Sequence, residues 1–213
     1  MIKKLINSII IILAKLSSYL YKYERKSTLR NIFVIFYSKW ISTSFKICGK
    51  NFNITFNANL KGLRYFQIGN NFNALSGLRI ECWDHYKGMN FQPNLIIGDN
   101  VIMNFNVHIG CINKVQIGNN VLFASNIFIT DHFHGDTQNT NFNIPPVDRA
   151  LFSKGPVIIE DNVWIGENVS IMPNVTIGRG SIIGANSVVT RSFDENSIIA
   201  GVPATLINNK KNQ

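Results

Sequence analysis

Residues Ile159 to Phe193 read IEDNVWIGENVSIMPNVTIGRGSIIGANSVVTRSF, and an aliphatic returns at every sixth position, at Ile159, Ile165, Ile171, Ile177, Ile183 and Val189. A second series follows four residues behind, at Val163, Val169, Val175, Ser181, Ser187 and Phe193, and the residue after the aliphatic is often small, as at Gly166, Gly178 and Gly184. An α-helix repeats every ~3.6 residues and an exposed strand every ~2, so this period belongs to neither. It describes a short flat strand plus a tight turn, three of which close one triangular coil. One coil buries almost nothing by itself. Stacked coils align their aliphatics into a column that water cannot reach, and β-branched residues suit parallel strands of this kind.

Outward from this stretch the same unit recurs in shorter runs: Ile68, Ala74, Ile80; Ile97, Met103, Ile109; and Ile117, Phe123, Ile129. The frame slips between runs, which marks insertions. Gly98-Asp99-Asn100, Gly118-Asn119-Asn120 and Asp161-Asn162 supply corner residues that tolerate unusual backbone angles. Two interruptions are informative: Asp84 to Asn94, and a polar segment from His132 to Pro156 that also holds Pro145 and Pro146. A long structureless insertion in a regular solenoid is a lid, a binding loop or a tolerated bulge, and its start at a histidine pair favours the lid. The expected organisation is a helical segment over 1–46, a β-helix domain over 47–207 with the loop 132–156, and a polar tail over 208–213.

The chain has 213 residues, 46% of them hydrophobic, enough for one well-buried domain and unlike a disordered protein. Its formal charge of +9 fits nucleic acid, an anionic membrane or a polyanionic small molecule equally well. Cys48, Cys82 and Cys111 show neither zinc-site pairing nor a disulfide-dense pattern, so they read as small core or edge residues in a reducing cytoplasm. Lys3 and Lys4 precede the apolar run Ile9 to Ala14, but no cleavage site follows and Lys15 ends the run well short of the roughly 20 residues of a spanning helix. Two readings of this segment stay open. One is a helix flat on the inner leaflet, with Lys3, Lys4, Lys15, Lys22, Arg25, Lys26 and Arg30 around apolar residues. The other is a helix packed on the body of the protein or on a neighbouring subunit.

The repeats, together with Ile129-Thr130-Asp131-His132-Phe133-His134-Gly135, Asp161-Asn162-Val163-Trp164-Ile165-Gly166 and Ala200-Gly201-Val202-Pro203-Ala204, make the chain resemble the hexapeptide-repeat acyltransferases over residues 68–207. Within them it is similar to sugar O-acetyltransferases, among which are galactoside, maltose and polysaccharide-cluster enzymes. The resemblance implies a mainly β fold, a left-handed parallel β-helix. That hand comes from the resemblance alone, since crossovers are ordinarily right-handed. It also implies an acetyl-CoA-dependent O-acetyltransferase that is a homotrimer with sites between subunits, uses no metal and binds no nucleic acid. The acceptor would be a sugar or glycan of a bacterial surface polysaccharide or lipopolysaccharide, modified in the cytoplasm or at the cytoplasmic face of the membrane.

Acyl transfer from a thioester to a hydroxyl needs a base of near-neutral basicity, which imidazole provides. The resemblance assigns that role to His132, in direct attack without an acyl-enzyme. His134 is the rival base, since one residue of misalignment would exchange the two. Asp131 would orient an imidazole by accepting its other N–H, or would face solvent. Asn104 matches an acceptor-binding asparagine, against the alternative of an asparagine stacked in a turn. Trp164 matches a tryptophan beside the active site, where its face would shield the reactants, against simple core packing. Gly166, Ala185, Thr190 and Arg191 match positions along the pantetheine groove, with Arg191 near phosphate or merely solvated.

Three competing functions remain at this level. An amino-sugar N-acetyltransferase differs only in the acceptor atom, with serine acetylation more remote. A γ-carbonic-anhydrase-like zinc enzyme would use His108, His132 and His134, although two of these stand only two residues apart. A catalytically silent scaffold would bind no CoA.

Overall fold

The computed structural model describes residues 2–20, 23–136, 138 and 142–209; Lys22 and the expected polar tail from residue 210 onward lie outside the described residues. Two helices, α1 (Ile2–Leu20) and α2 (Tyr23–Ser42), precede a left-handed parallel β-helix whose first strand is Ile47–Cys48. Its coils have three flat faces. The first stacks Ile47–Cys48, Phe66–Ile68, Asn94–Ile97, Lys114–Ile117, Val157–Ile159 and Val175–Ile177. The second runs from Asn53–Ile54 through Ile102–Met103, Leu122–Phe123 and Trp164–Ile165 to Ser197–Gly201, and the third from Asn59–Lys61 through Arg79–Cys82, His108–Cys111 and Phe128–Thr130 to Val188–Val189.

The register is the one the hexad predicts. On the first face Ile68 pairs with Ile97, Ile97 with Ile117, Ile117 with Ile159 and Ile159 with Ile177. The second face stacks Ala74, Met103, Phe123, Ile165, Ile183 and Ile199, and the third stacks Ile80, Ile109, Ile129, Ile171 and Val189. Every one of these side chains is buried. Each except the smaller Ala74 contributes roughly 1.5–3 kcal/mol by leaving water, so the column outweighs any single turn in holding the solenoid.

Two corners are built from left-handed asparagines. Asn51, Asn71, Asn100, Asn120 and Asn162 hold φ between 56° and 60° at the corner from the first to the second face, and Asn106, Asn126, Asn168 and Asn186 hold 58° to 60° at the next. Asparagine tolerates this region better than other non-glycine residues because its short amide bonds locally. Here most of the amides also donate to the next coil, as from Asn71 to Asn100 at 2.8 Å and from Asn100 to Asn120 at 2.9 Å.

Both ends of the column are closed. At the base Phe45 packs edge-on to Phe52 at 5.2 Å, Phe52 stacks on Phe72 at 5.5 Å, and the buried Ser38 of α2 accepts the Ile54 N–H at 2.9 Å. At the top Gly201-Val202-Pro203-Ala204 turns the chain back, so that Ala204–Asn209 pairs antiparallel with Ser197–Gly201 and ends the second face.

Neither insertion is structureless, which corrects the expectation from sequence. His85–Tyr86 pairs antiparallel with Met89–Asn90, and Phe133–His134 pairs antiparallel with Leu151–Phe152. Polar, proline-bearing composition hid both pairings, because each rests on two residues per strand, too few to show alternation.

Candidate active site

The third face carries the reactive groups. Its strand Phe128–Thr130 delivers Thr130 and Ile129 as buried residues, and the chain then leaves the face at Asp131 and His132. Asp131 is 0% exposed and does not face solvent. Its carboxylate accepts the Ile112 N–H at 2.9 and 3.1 Å, the Asn113 N–H at 2.7 Å, and lies 2.8 Å from His132 Nδ1. A carboxylate against two backbone donors is held as an acceptor, so His132 Nδ1 carries the proton and Nε2 is the basic nitrogen. The Thr130 hydroxyl, 3.3 Å from Nδ1, also accepts the His132 N–H at 3.2 Å and donates to the His132 carbonyl at 3.0 Å, which fixes the backbone under the ring.

Gly110 keeps the imidazole edge clear. It is the register partner of Thr130, and a Cβ there would lie 3.1 Å from His132 Cε1 and 3.8 Å from Nε2. One coil earlier the partner of Gly110 is Glu81, which binds Arg79 at 2.8 Å and sits 3.6 Å from His108 Nε2. Burial pushes the His108 imidazole below its ordinary range; the Arg79 charge adds to this and Glu81 opposes it. Residue pattern alone did not find Glu81 or Gly110. Both follow an inward aliphatic, Ile80 and Ile109, and so take outward positions on the third face, a signal that the hexad frame already contains.

The two insertions meet above this face. The Tyr86 hydroxyl donates to the Val147 carbonyl at 2.7 Å, Lys87 pairs with Asp148 at 2.7 Å, and the His134 ring stands edge-on to Tyr86 at 5.6 Å. His134 therefore belongs to the loop rather than to the carboxylate that holds His132.

The remaining residues divide between the two edges of the third face. Asn104 lies where the chain enters it, at the end of a second-face strand, and Gly166 is at the equivalent place two coils on, through the bonds of Asn104 N–H to Phe123 O and Ala124 N–H to Ile165 O. Ala185 is on that same entry edge, and its backbone nitrogen would be 2.7 Å from a Cβ on Gly166. Thr190 and Arg191 follow Val188–Val189 on the exit edge, the edge of His132, with Arg191 over the Phe193 ring at 5.0 Å. Trp164 is not core: it is 51% exposed on the second face, stacked between Leu122 and Ile182. A single copy thus joins His132 to Asp131, sets Thr190 and Arg191 two coils on along the same edge, and leaves Asn104, Gly166, Ala185 and Trp164 across the face or around its corner.

The three histidines of the zinc reading do not converge, for His132 is tied to Asp131, His108 faces Glu81 and His134 stands on Tyr86. Among the described residues no group of three or more His, Cys, Asp or Glu is placed to hold a metal ion. Cys82 and Cys111 are buried register partners, and the Cys111 thiol is pushed well above the usual range by its hydrogen bond with Cys82 and by burial. It stays protonated and unreactive.

Residues 156–191 match the family model described as bacterial transferase hexapeptide (six repeats). The chain is 40% identical over 144 residues to the Escherichia coli (strain K12) protein named "Putative lipopolysaccharide biosynthesis O-acetyl transferase WbbJ", covering 66% of this chain and 69% of that one. It is 39% identical over 122 residues to galactoside O-acetyltransferase of the same organism, covering 55% of each chain. A crystal structure of a variant of AntD, an N-acyltransferase from Bacillus cereus solved with dTDP-4-amino-4,6-dideoxyglucose and coenzyme A, superposes with a TM-score of 0.67 at 24% identity, covering 82% of this chain and 89% of that one, and this likeness is one of fold. Repeats, register and relatives agree: the chain belongs to the hexapeptide-repeat transferase family and is an acyltransferase.

Proposed function

We propose that the protein transfers an acetyl group from acetyl-CoA to a sugar hydroxyl, with His132 as general base, in the modification of a bacterial surface polysaccharide or lipopolysaccharide. The single observation behind the mechanism is the buried Asp131 carboxylate at 2.8 Å from His132 Nδ1, which makes Nε2 the basic nitrogen. In this reading the acceptor O–H gives its proton to Nε2 while its oxygen attacks the thioester carbonyl. The tetrahedral intermediate collapses by breaking its C–S bond, and the departing CoA sulfur takes the proton back from His132. No acyl-enzyme is involved. The names of the relatives, two of them O-acetyltransferases, support a hydroxyl acceptor over an amine.

The division of residues between two edges supports a homotrimer. Packing the entry edge of one copy on the exit edge of the next would bring Asn104 and Trp164 to His132 for the acceptor, and Gly166 and Ala185 to Thr190 and Arg191 for pantetheine and phosphate. The apolar outer row Ile102, Leu122 and Trp164, each 42–51% exposed, is the kind of surface such packing covers. The work would be done in the cytoplasm, beside the inner surface of the membrane.

The test is free-thiol release from acetyl-CoA against a panel of sugars, amino sugars and nucleotide sugars. Acceptor-dependent release should fall about 10²–10⁴-fold in His132→Ala and little in His134→Ala. Equal losses in the two variants, or release independent of acceptor, would overturn the assignment.

A further inference from the structure

We infer that α1 lies on an anionic membrane surface, its apolar arc in the lipid and its lysines among the headgroups. The inference rests on the proposed function only for its purpose, bringing the enzyme to a membrane-borne glycan; its evidence is the helix itself. Nine of the 21 basic residues and one of the 12 acidic residues fall within 1–46, so this segment carries +8 of the chain's formal +9 and the rest is almost neutral. A polyanion is the natural counterpart of such a segment.

Its apolar surface says which polyanion. Every described residue from Lys3 to Tyr19 is exposed, and Leu5, Ile6, Ile9, Leu13 and Leu16 are 49–63% exposed. With about 3.6 residues per turn these five fall on one half of the helix. Lys3, Lys4 and Lys15 fall on the other half with Asn7, Ser8 and Ser18, and Ile11 is the one large aliphatic among them. The helix has no acidic residue, and its side-chain hydrogen bonds, from Ser8, Ser17 and Ser18, return to its own carbonyls. Among the described residues no helix is long and apolar enough to cross a membrane. An apolar half with a lysine-rich polar half, too short and too charged to span, suits the plane of a bilayer interface. Nucleic acid would satisfy the charge and leave the apolar half in water. A second copy would cover the apolar half and set +8 against +8.

The experiment sediments the full chain with vesicles of phosphatidylglycerol and phosphatidylcholine, or of phosphatidylcholine alone, at low and high salt. Binding is expected to the anionic vesicles, to weaken with salt, and to fall at least about tenfold in Ile9→Asp/Leu13→Asp and in Lys3→Glu/Lys4→Glu/Lys15→Glu. Both variants should keep the thermal midpoint of the parent. Failure to sediment with anionic vesicles, or wild-type binding by both variants, overturns the inference. So does a loss of native mass by light scattering in Ile9→Asp/Leu13→Asp without lipid, which would mean that the apolar half covers another copy. Thiol release with a soluble sugar is read separately, so failure of vesicle binding and failure of acyl transfer are distinguishable.

Discussion

Replacing Asp131 by asparagine changes one atom and should silence the enzyme. The carboxylate oxygen Oδ2 accepts the Ile112 and Asn113 N–H groups at 3.1 and 2.7 Å, while Oδ1 meets the Ile112 N–H and His132 Nδ1 at 2.9 and 2.8 Å. Asparagine offers one acceptor oxygen and one NH₂ group. Turned so that its oxygen stands at Oδ1, it still accepts the Ile112 N–H but sets NH₂ against the Asn113 N–H, which loses its acceptor at roughly 1–3 kcal/mol. Turned the other way, it keeps the backbone bonds and points NH₂ at Nδ1, and this orientation wins by that margin. Nδ1 must then accept, the imidazole proton moves to Nε2, and the base is lost.

A carboxylate-to-amide change behind a catalytic histidine costs about 10⁴ in serine proteases; here a fall of about 10²–10⁴ in kcat is expected, with KM for acetyl-CoA little changed. The fold should survive, since exchanging charge-assisted for neutral bonds costs roughly 2 kcal/mol, or a Tm about 4–8 °C lower in a chain of this size. Thiol release at saturating acceptor, run beside a thermal melt, measures both. Asp131→Asn retaining more than about a third of wild-type kcat would refute the idea that Asp131 sets the tautomer.

Three further outcomes follow from the same structure. Phe123, 0% exposed at the middle of the second-face column, should cost about 3–5 kcal/mol as Phe123→Ala in urea unfolding. Asn120→Ala should cost roughly 2–3 kcal/mol, because alanine disfavours a φ of 56° and ends the amide ladder, whereas Asn120→Gly keeps the backbone and should cost about 1 kcal/mol, a ranking that urea midpoints will check. The lowered pKa of His108 means that the unfolded chain takes up its proton first, so the contribution of this group to stability is present above pH ~6.5 and is lost as pH falls toward the folded value; His108→Gln should flatten the fall in urea midpoint between neutral and acidic pH.

The coils were legible because each inward aliphatic is tied to its neighbours by a fixed period, and the stacking of Ile68 on Ile97 and of Ile129 on Ile171 follows from counting. His132 was singled out through resemblance and the need for a base, and its role rests on the proposed function. The burial of Asp131 was not, for nothing in Thr130-Asp131-His132 tells that the carboxylate turns inward to the N–H groups of Ile112 and Asn113, a coil earlier in the chain. Nor was the joining of the two insertions, whose Tyr86–Val147 and Lys87–Asp148 contacts each span 61 residues of sequence and obey no period.

The frame slips themselves explain where the candidate site lies. Between Ile80 and Ile97, between Ile109 and Ile117, and between Ile129 and Ile159, each slip falls where the chain passes from the third face back to the first. The other two corners cannot absorb extra residues in this way. Each is threaded by left-handed asparagines whose amides bond from coil to coil, and a corner of different length would leave an amide without its partner above and below. The exit corner has no comparable run, its stacked pair of positive-φ residues being Gly155 and Asn174 near the top. Length is therefore free to vary there at small cost to the column. Variable loops over a rigid wall are what a binding site needs, and His132, Thr190 and Arg191 all stand at that corner. The same asparagines that make the solenoid regular thus confine its irregularity, and with it the proposed base, to one edge.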